Sequence, residues 1–195
     1  FYELLSKKYQ AIQNININNV NILDFNLADI YRDIKFNIVG NLPYNIGSQI
    51  IFHLVTYKKL IDKMLFMLQT EVVNNIVAKV GSKNYGRLSI MVQYHFRTTY
   101  LFDIPPCAFT PAPAVNSSMI QLVPYNIEQP ARDYQKFALL VKTAFNNRRK
   151  TLYNNLKQLI TQKQWQELAD KINLDSTLRP DHISLQDYVY ISNYV

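Results

Sequence analysis

The stretch Phe36-Asn37-Ile38-Val39-Gly40-Asn41-Leu42-Pro43-Tyr44 decides the fold. A short apolar run ends in a glycine, an amide and a proline, and an Ile/Phe/Leu-rich segment then extends from Gly47 to Tyr57. This order reads as a buried strand, its carboxyl end and a following helix, the opening of an α/β unit. Ligands of open α/β sheets sit just outside the carboxyl ends of the strands, so Asn41 to Tyr44 lie where chemistry is expected.

Working outward, Val20-Asn21-Ile22-Leu23 and Met64-Leu65-Phe66-Met67-Leu68 read as further buried strands, and Glu71 to Lys79 as an intervening helix. Leu88, Met91, Val92 and His95 follow helical spacing. Tyr100-Leu101-Phe102 and Ser118 to Val123 read as a closing antiparallel pair, and the prolines at 105, 106, 111 and 113 keep the loop between them out of regular structure. Beyond Pro124 the pattern becomes helical. Phe137, Leu140, Val141 and Ala144 mark one amphipathic helix; Leu152, Leu156 and Ile160 a second; Trp165, Leu168 and Ile172 a third. Ser184 followed by Asp187 resembles a capping box that opens a fourth. The expected division is an α/β domain over residues 1–125 and a small all-helical domain over residues 126–195.

Composition narrows the function classes. A chain of 195 residues, 48% of them hydrophobic, can build a sizeable core. The net charge of +7, a pI near 9.4 and an aromatic content of 13% favour an anionic partner. Nucleic acid ranks ahead of membrane, because no long basic amphipathic stretch is visible. Charge alone would fit a merely basic protein equally well. No segment is long and apolar enough to span a bilayer, so no membrane partner is expected, and a single cysteine suits a reducing cytosol, so a cytoplasmic location is expected. The one cysteine, Cys107, excludes an internal disulfide and reads as a buried spectator. His53, His95 and His182 are scattered, and no Cys/His/Asp grouping has ligand spacing, so no metal is expected. No Ser/His/Asp arrangement can be defended, and Gly81-Ser82-Lys83 lacks the upstream glycine of a phosphate loop.

Asn41-Leu42-Pro43-Tyr44 has its own chemical logic. The exocyclic amino group of a nucleobase is a poor nucleophile because its lone pair is delocalised into the ring. An enzyme that uses it must supply acceptors that favour a tetrahedral nitrogen. The Asn41 side-chain oxygen is one, and the Leu42 carbonyl is available as the second. Pro43 removes a competing donor and holds Leu42 extended. Tyr44 offers a flat face on which a base can stack. Taken alone, the motif reads first as a strand ending in an ordinary proline turn. The rest of the chain reverses that order.

Gln69-Thr70-Glu71-Val72 and the run from Gly81 through Tyr85-Gly86-Arg87-Leu88-Ser89 come next, then Phe109-Thr110-Pro111-Ala112-Pro113-Ala114-Val115-Asn116-Ser117. Asn147-Arg148-Arg149-Lys150-Thr151-Leu152 and Arg179-Pro180-Asp181 complete the series. In this order and spacing the segments resemble the small-subunit ribosomal RNA adenine dimethyltransferase family of the KsgA type, nearly end to end. The resemblance implies a class I, Rossmann-like methyltransferase core with a helical C-terminal domain. It also implies transfer of methyl groups from S-adenosylmethionine to N6 of two adjacent adenosines near the 3′ end of small-subunit (16S) rRNA.

For individual residues, the resemblance implies that Asn41, Leu42, Pro43 and Tyr44 form the catalytic motif, and that Asn21, Ile22 and Asn41 face the cofactor. Tyr44 and Phe109 would sandwich the flipped adenine. Arg87, Arg148, Arg149 and Lys150 would meet RNA; a solvated charge run is the usual explanation for a triplet like the last three, but the net charge and the family position favour RNA contact, whereas Arg87 reads as readily as a buried structural cation. A monomeric enzyme with the small ribosomal subunit's rRNA as partner is expected.

Several positions depart from the family pattern. Thr70, Asn75 and Ala114 stand where the family usually has basic residues, which weakens the expected phosphate contacts, and Asn21 stands where an Asp usually faces the adenine. Gly40 is the first of only four glycines, and Phe1 to Leu5 reads as the helix that follows a second strand. The glycine-rich loop and acidic residue of class I methyltransferases are not among these residues, so the given sequence is expected to start inside the domain. The rivals are a macrolide-resistance type enzyme acting on large-subunit rRNA and a noncatalytic RNA-binding assembly factor on the same fold.

Overall fold

A computed structural model describes residues 1–195. At its centre is a four-stranded mixed sheet in the order β1-β2-β4-β3, formed by Phe36–Asn41 (β1), Ile61–Gln69 (β2), Phe96–Ile104 (β3) and Ser117–Pro124 (β4). β1 and β2 run parallel, and β4 is antiparallel to both β2 and β3. The parallel pair is bridged by a helix over Gly47–Val55, numbered α2 after a first helix, α1, at Tyr2–Tyr9. That helix packs Ile50, Ile51 and Leu54 onto Met64, Phe66 and Leu68 of β2. Gly47 lets it start close to the sheet, since a β-carbon there would collide with the Leu68 side chain.

Two short helices follow β2, Thr70–Ile76 (α3) and Arg87–Gln93 (α4). α4 is apolar on more than one face because it serves two cores. Its Val92 joins the sheet core, while Ile90 and Met91 join a second cluster built mainly from the C-terminal helices. Those are Tyr134–Ala144 (α5), Leu152–Leu156 (α6), Gln162–Ile172 (α7) and Leu185–Tyr194 (α8). The start signals are oxygen caps: Asp133, Thr151, Thr161 and Ser184 each accept from a backbone N–H of the helix they open. Tyr85, Ile90, Met91 and Tyr94 belong to the same buried cluster as Phe137, Trp165 and Tyr188. The helical core thus draws on residues from both sides of Tyr125.

Three expectations are corrected. Val20 to Leu23 form no strand: they are bend and turn, because the Asn21 side chain accepts from Leu23 N and donates to Asp24. An Asx-type turn of this kind competes with extended structure, and no neighbouring strand is there to pair with. β1 is an edge strand with alternating exposure, and Val39 is 71% exposed, so it is not buried on both faces. Cys107 is exposed, because it sits in a 3-10 turn over Pro106–Ala108 in the proline-rich loop, and such loops run over the surface. No helix is long and apolar enough to cross a membrane.

Candidate active site

Leu42 anchors the motif twice. Its side chain is buried in the sheet core, and its N–H donates to the Met67 carbonyl at 3.1 Å, extending the β1–β2 ladder by one bond. Pro43 turns the chain, and its carbonyl accepts from Ile46 N. The Tyr44 hydroxyl lies 2.6 Å from the hydroxyl of Ser117, a fully buried residue at the start of β4. With these anchors made, two acceptors remain without a protein partner: the exposed Asn41 carboxamide and the Leu42 carbonyl. They are the pair that the amino-group chemistry requires.

A second polar knot lies beside the first. The Ser118 hydroxyl is 2.7 Å from Thr70 Oγ1 and 2.5 Å from Asp103 Oδ1, and Thr70 N donates to the Asn116 carbonyl. The Ser118 hydroxyl thus links Thr70, at the start of α3, to the Asp103 carboxylate on β3. Sequence reasoning missed Ser117, Ser118 and Asp103. The signal was available, since adjacent serines at the mouth of an apolar strand must put at least one hydroxyl on the buried face.

Phe109 is half-buried in the loop that delivers Ser117, so it belongs to the same end of the sheet as Tyr44. Asn21 is exposed, and its turn uses one amide hydrogen and one oxygen lone pair, leaving one donor and one acceptor free. Ile22, beside it, is 36% exposed. Arg87, at the first turn of α4, is exposed on a cleft of about 550 Å³ that it shares with Phe52, Met91 and Tyr134. It is not a buried cation.

The cation triplet divides. Arg148 Nη2 donates to the carbonyls of Lys83 and Tyr85, at 2.8 Å each, and so clamps the loop before α4. Arg149 and Lys150 are exposed and make no such side-chain bond. The one basic–acidic side-chain contact within 4 Å is His182 Nδ1 to Asp181 Oδ1 at 3.5 Å, so no lysine or arginine has a carboxylate that close.

A mixed sheet with free acceptors at the carboxyl end of a parallel strand fits the Rossmann-like core of a class I methyltransferase. The chain belongs to the ribosomal RNA adenine dimethylase family, whose model matches residues 1–195. It is 44% identical over 190 residues to the ribosomal RNA small subunit methyltransferase A of Coxiella burnetii, covering 97% of this chain and 72% of that protein. A second protein of that name, from Shewanella woodyi, is 40% identical over 183 residues, covering 93% of this chain and 67% of its own length. Among solved structures, a dimethyladenosine transferase from Plasmodium falciparum aligns with a TM-score of 0.79 at 19% identity, covering 96% of this chain and 75% of that one. The 23S rRNA methyltransferase ErmE aligns at 0.74 and 16% identity, covering 99% and 77%. At such identities the structural matches carry the fold alone.

Proposed function

We propose that this chain dimethylates N6 of two adjacent adenosines near the 3′ end of small-subunit (16S) rRNA, with S-adenosylmethionine as methyl donor. The observation that carries the reading is the pair of unpartnered acceptors, Asn41 Oδ1 and Leu42 O, next to a Tyr44 ring fixed by Ser117. The small-subunit name shared by relatives at 40–44% identity favours that substrate over large-subunit rRNA.

Asn41 Oδ1 and the Leu42 carbonyl accept the two hydrogens of the adenosine amino group. This orients the nitrogen and draws its lone pair out of ring conjugation. Tyr44 and Phe109 hold the flipped base by stacking, worth about 1–3 kcal/mol per base, which offsets part of the unstacking cost. Arg149 and Lys150 meet phosphates and set the register of the RNA without reading bases. Arg87 is a further phosphate contact, and Arg148 acts by holding the loop that presents it.

Asn21, Ile22 and Asn41 suit the cofactor. The remaining donor and acceptor of Asn21 match an adenine edge, Ile22 offers an apolar face, and the Asn41 carboxamide is free. When bound, S-adenosylmethionine supplies an electrophilic methyl group on its sulfonium. The nitrogen becomes acidic once methylated and can lose its proton to water, so no side chain of this chain need act as base.

The test is incubation of the protein with radiolabelled S-adenosylmethionine and small or large ribosomal subunits from cells that lack the modification. The expected product is N6,N6-dimethyladenosine in small-subunit rRNA only. Label in large-subunit rRNA, or none in either, overturns the reading.

A further inference from the structure

The end of the sheet opposite Asn41 carries a basic groove that the methyl-transfer chemistry does not use. Lys35, just before β1, and Lys58 and Lys59, just before β2, line a cleft of about 200 Å³ together with Tyr125 and Asn126. Tyr125 is the wall between this cleft and a larger, open one of about 610 Å³, to which Lys79 and Arg97 contribute. A third cleft, of about 260 Å³, joins Arg97, Tyr125 and Asn126 to Glu128. The three clefts adjoin around the Tyr125 side chain, which lines each of them. Glu128 is the only carboxylate on their walls, and none of their cations has a carboxylate within 4 Å.

The wall itself is rigid. The Tyr125 hydroxyl donates to the Gln93 carbonyl at 2.8 Å, its N–H donates to the His95 carbonyl, and the Arg97 guanidinium lies 5.5 Å from its ring centroid. A pinned aromatic flanked by unpaired lysines, with amide and hydroxyl groups beside them, has the chemistry of a groove for a polyanion with sugar hydroxyls and stackable bases. A flat membrane surface would instead call for an amphipathic helix with an apolar face, and the groove has none.

We infer that this groove, centred on Tyr125 with Lys35, Lys58, Lys59 and Arg97, is a second RNA-binding surface that grips the phosphate backbone of a segment remote from the target adenosines. Asn41 pairs with Met67, six residues along β2 from Ile61 beside the lysines, so at ~3.3 Å per residue the groove and the Asn41 end are separated by about 20 Å. A hairpin loop seated at Asn41 leaves the groove free for a different stretch of backbone. A folded ribosomal particle presents backbone on that scale, so the groove lets the protein favour the assembled particle over a short RNA with the same target sequence. The inference rests on the proposed rRNA substrate.

The test is Lys35→Ala/Lys58→Ala/Lys59→Ala. These side chains lie at the surface and make no hydrogen bond within the protein, so the variant should fold, with circular dichroism as the check. Binding of unmodified small subunits is measured across a potassium chloride series. Binding of a short hairpin that carries only the target adenosines is measured in parallel. A triple variant of equal charge change, Lys136→Ala/Lys163→Ala/Lys171→Ala, controls for overall charge.

The expected result is an affinity for subunits lowered on the order of tenfold and a salt slope flattened by about two to three ions, at roughly 0.7–0.9 per phosphate contact. Hairpin binding and the control variant should match wild type. An unchanged slope for the groove variant overturns the inference, as does equal flattening in the control. If wild-type protein binds vesicles containing phosphatidylserine and the groove variant loses that binding while its subunit binding stays intact, the inference is overturned in favour of a membrane surface. If wild-type protein neither binds nor methylates small subunits, it is the substrate reading that fails.

Discussion

The Tyr44 hydroxyl meets the Ser117 hydroxyl at 2.6 Å, tying the loop after β1 to the first residue of β4. The bond spans two strands that are not neighbours in the sheet, since β2 lies between them. A ring free to rotate would offer a base no fixed face. The hydroxyl pair therefore acts as a hinge pin for the stacking surface, and a neutral hydrogen bond of this kind contributes about 1 kcal/mol. Tyr44→Phe and Ser117→Ala should each lower kcat/KM for subunit methylation by about five- to tenfold, and the double variant should be no worse than either single one. A double-mutant cycle measures this. Losses that multiply would mean that the hydroxyls act separately.

Asn41 makes no side-chain hydrogen bond and is exposed, so its removal should leave the fold unaffected. Its proposed task is to accept a hydrogen from the amino group while the nitrogen becomes tetrahedral. Loss of one such polarising partner typically costs ~10²–10³ in turnover. Asn41→Ala should show that loss in single-turnover rates at saturating cofactor, with an unchanged melting temperature. A rate within a few fold of wild type removes Asn41 from the chemistry.

How much of this was legible in the sequence depended on whether a signal was local. β1, β2 and the C-terminal helices announce themselves through runs of apolar residues and side-chain caps, and the motif after β1 through its proline. The misreadings at Val20 to Leu23 and at Cys107 share a cause. Apolar or sulfur-containing residues suggest burial, but whether a partner strand or a core lies within reach is a tertiary fact. The adjacent serines signal that a hydroxyl at 117 or 118 is buried, but its partner, a tyrosine far away in sequence, is again a tertiary fact. Arg148, Arg149 and Lys150 look alike as residues and differ only in what each one reaches.

His95 is 6% exposed, with one ring nitrogen 3.0 Å from the Tyr134 hydroxyl and the other, Nδ1, buried without a partner. Burial, aided by the nearby Lys58 charge, lowers its pKa from 6.5 to about 4. The unfolded chain therefore binds the proton first as pH falls, so this contribution to stability is present above about 6.5 and is lost between there and about 4. The full effect is on the order of 2–3 kcal/mol. Urea unfolding at pH 7, 6, 5 and 4 should show stability falling across this window, and His95→Gln should flatten the dependence. Equal pH dependence in both proteins would assign it to other groups.

The cation triplet makes the sharpest separation between structure and binding. Arg148 donates to the Lys83 and Tyr85 carbonyls, whereas Arg149 and Lys150 reach no protein acceptor. Arg148→Ala should therefore cost stability, about 1 kcal/mol after allowance for its exposure to solvent, and should loosen the loop before α4. Arg149→Ala with Lys150→Ala should leave the melting temperature unchanged and flatten the salt dependence of small-subunit binding by about one to two ions. Thermal melts and binding isotherms over a salt series, run on both variants, check the division. If Arg148→Ala melts like wild type and flattens the slope as the pair does, the carbonyl clamp is incidental and all three residues contact RNA. If the pair leaves the slope unchanged in a folded protein, Arg149 and Lys150 are a solvated charge run.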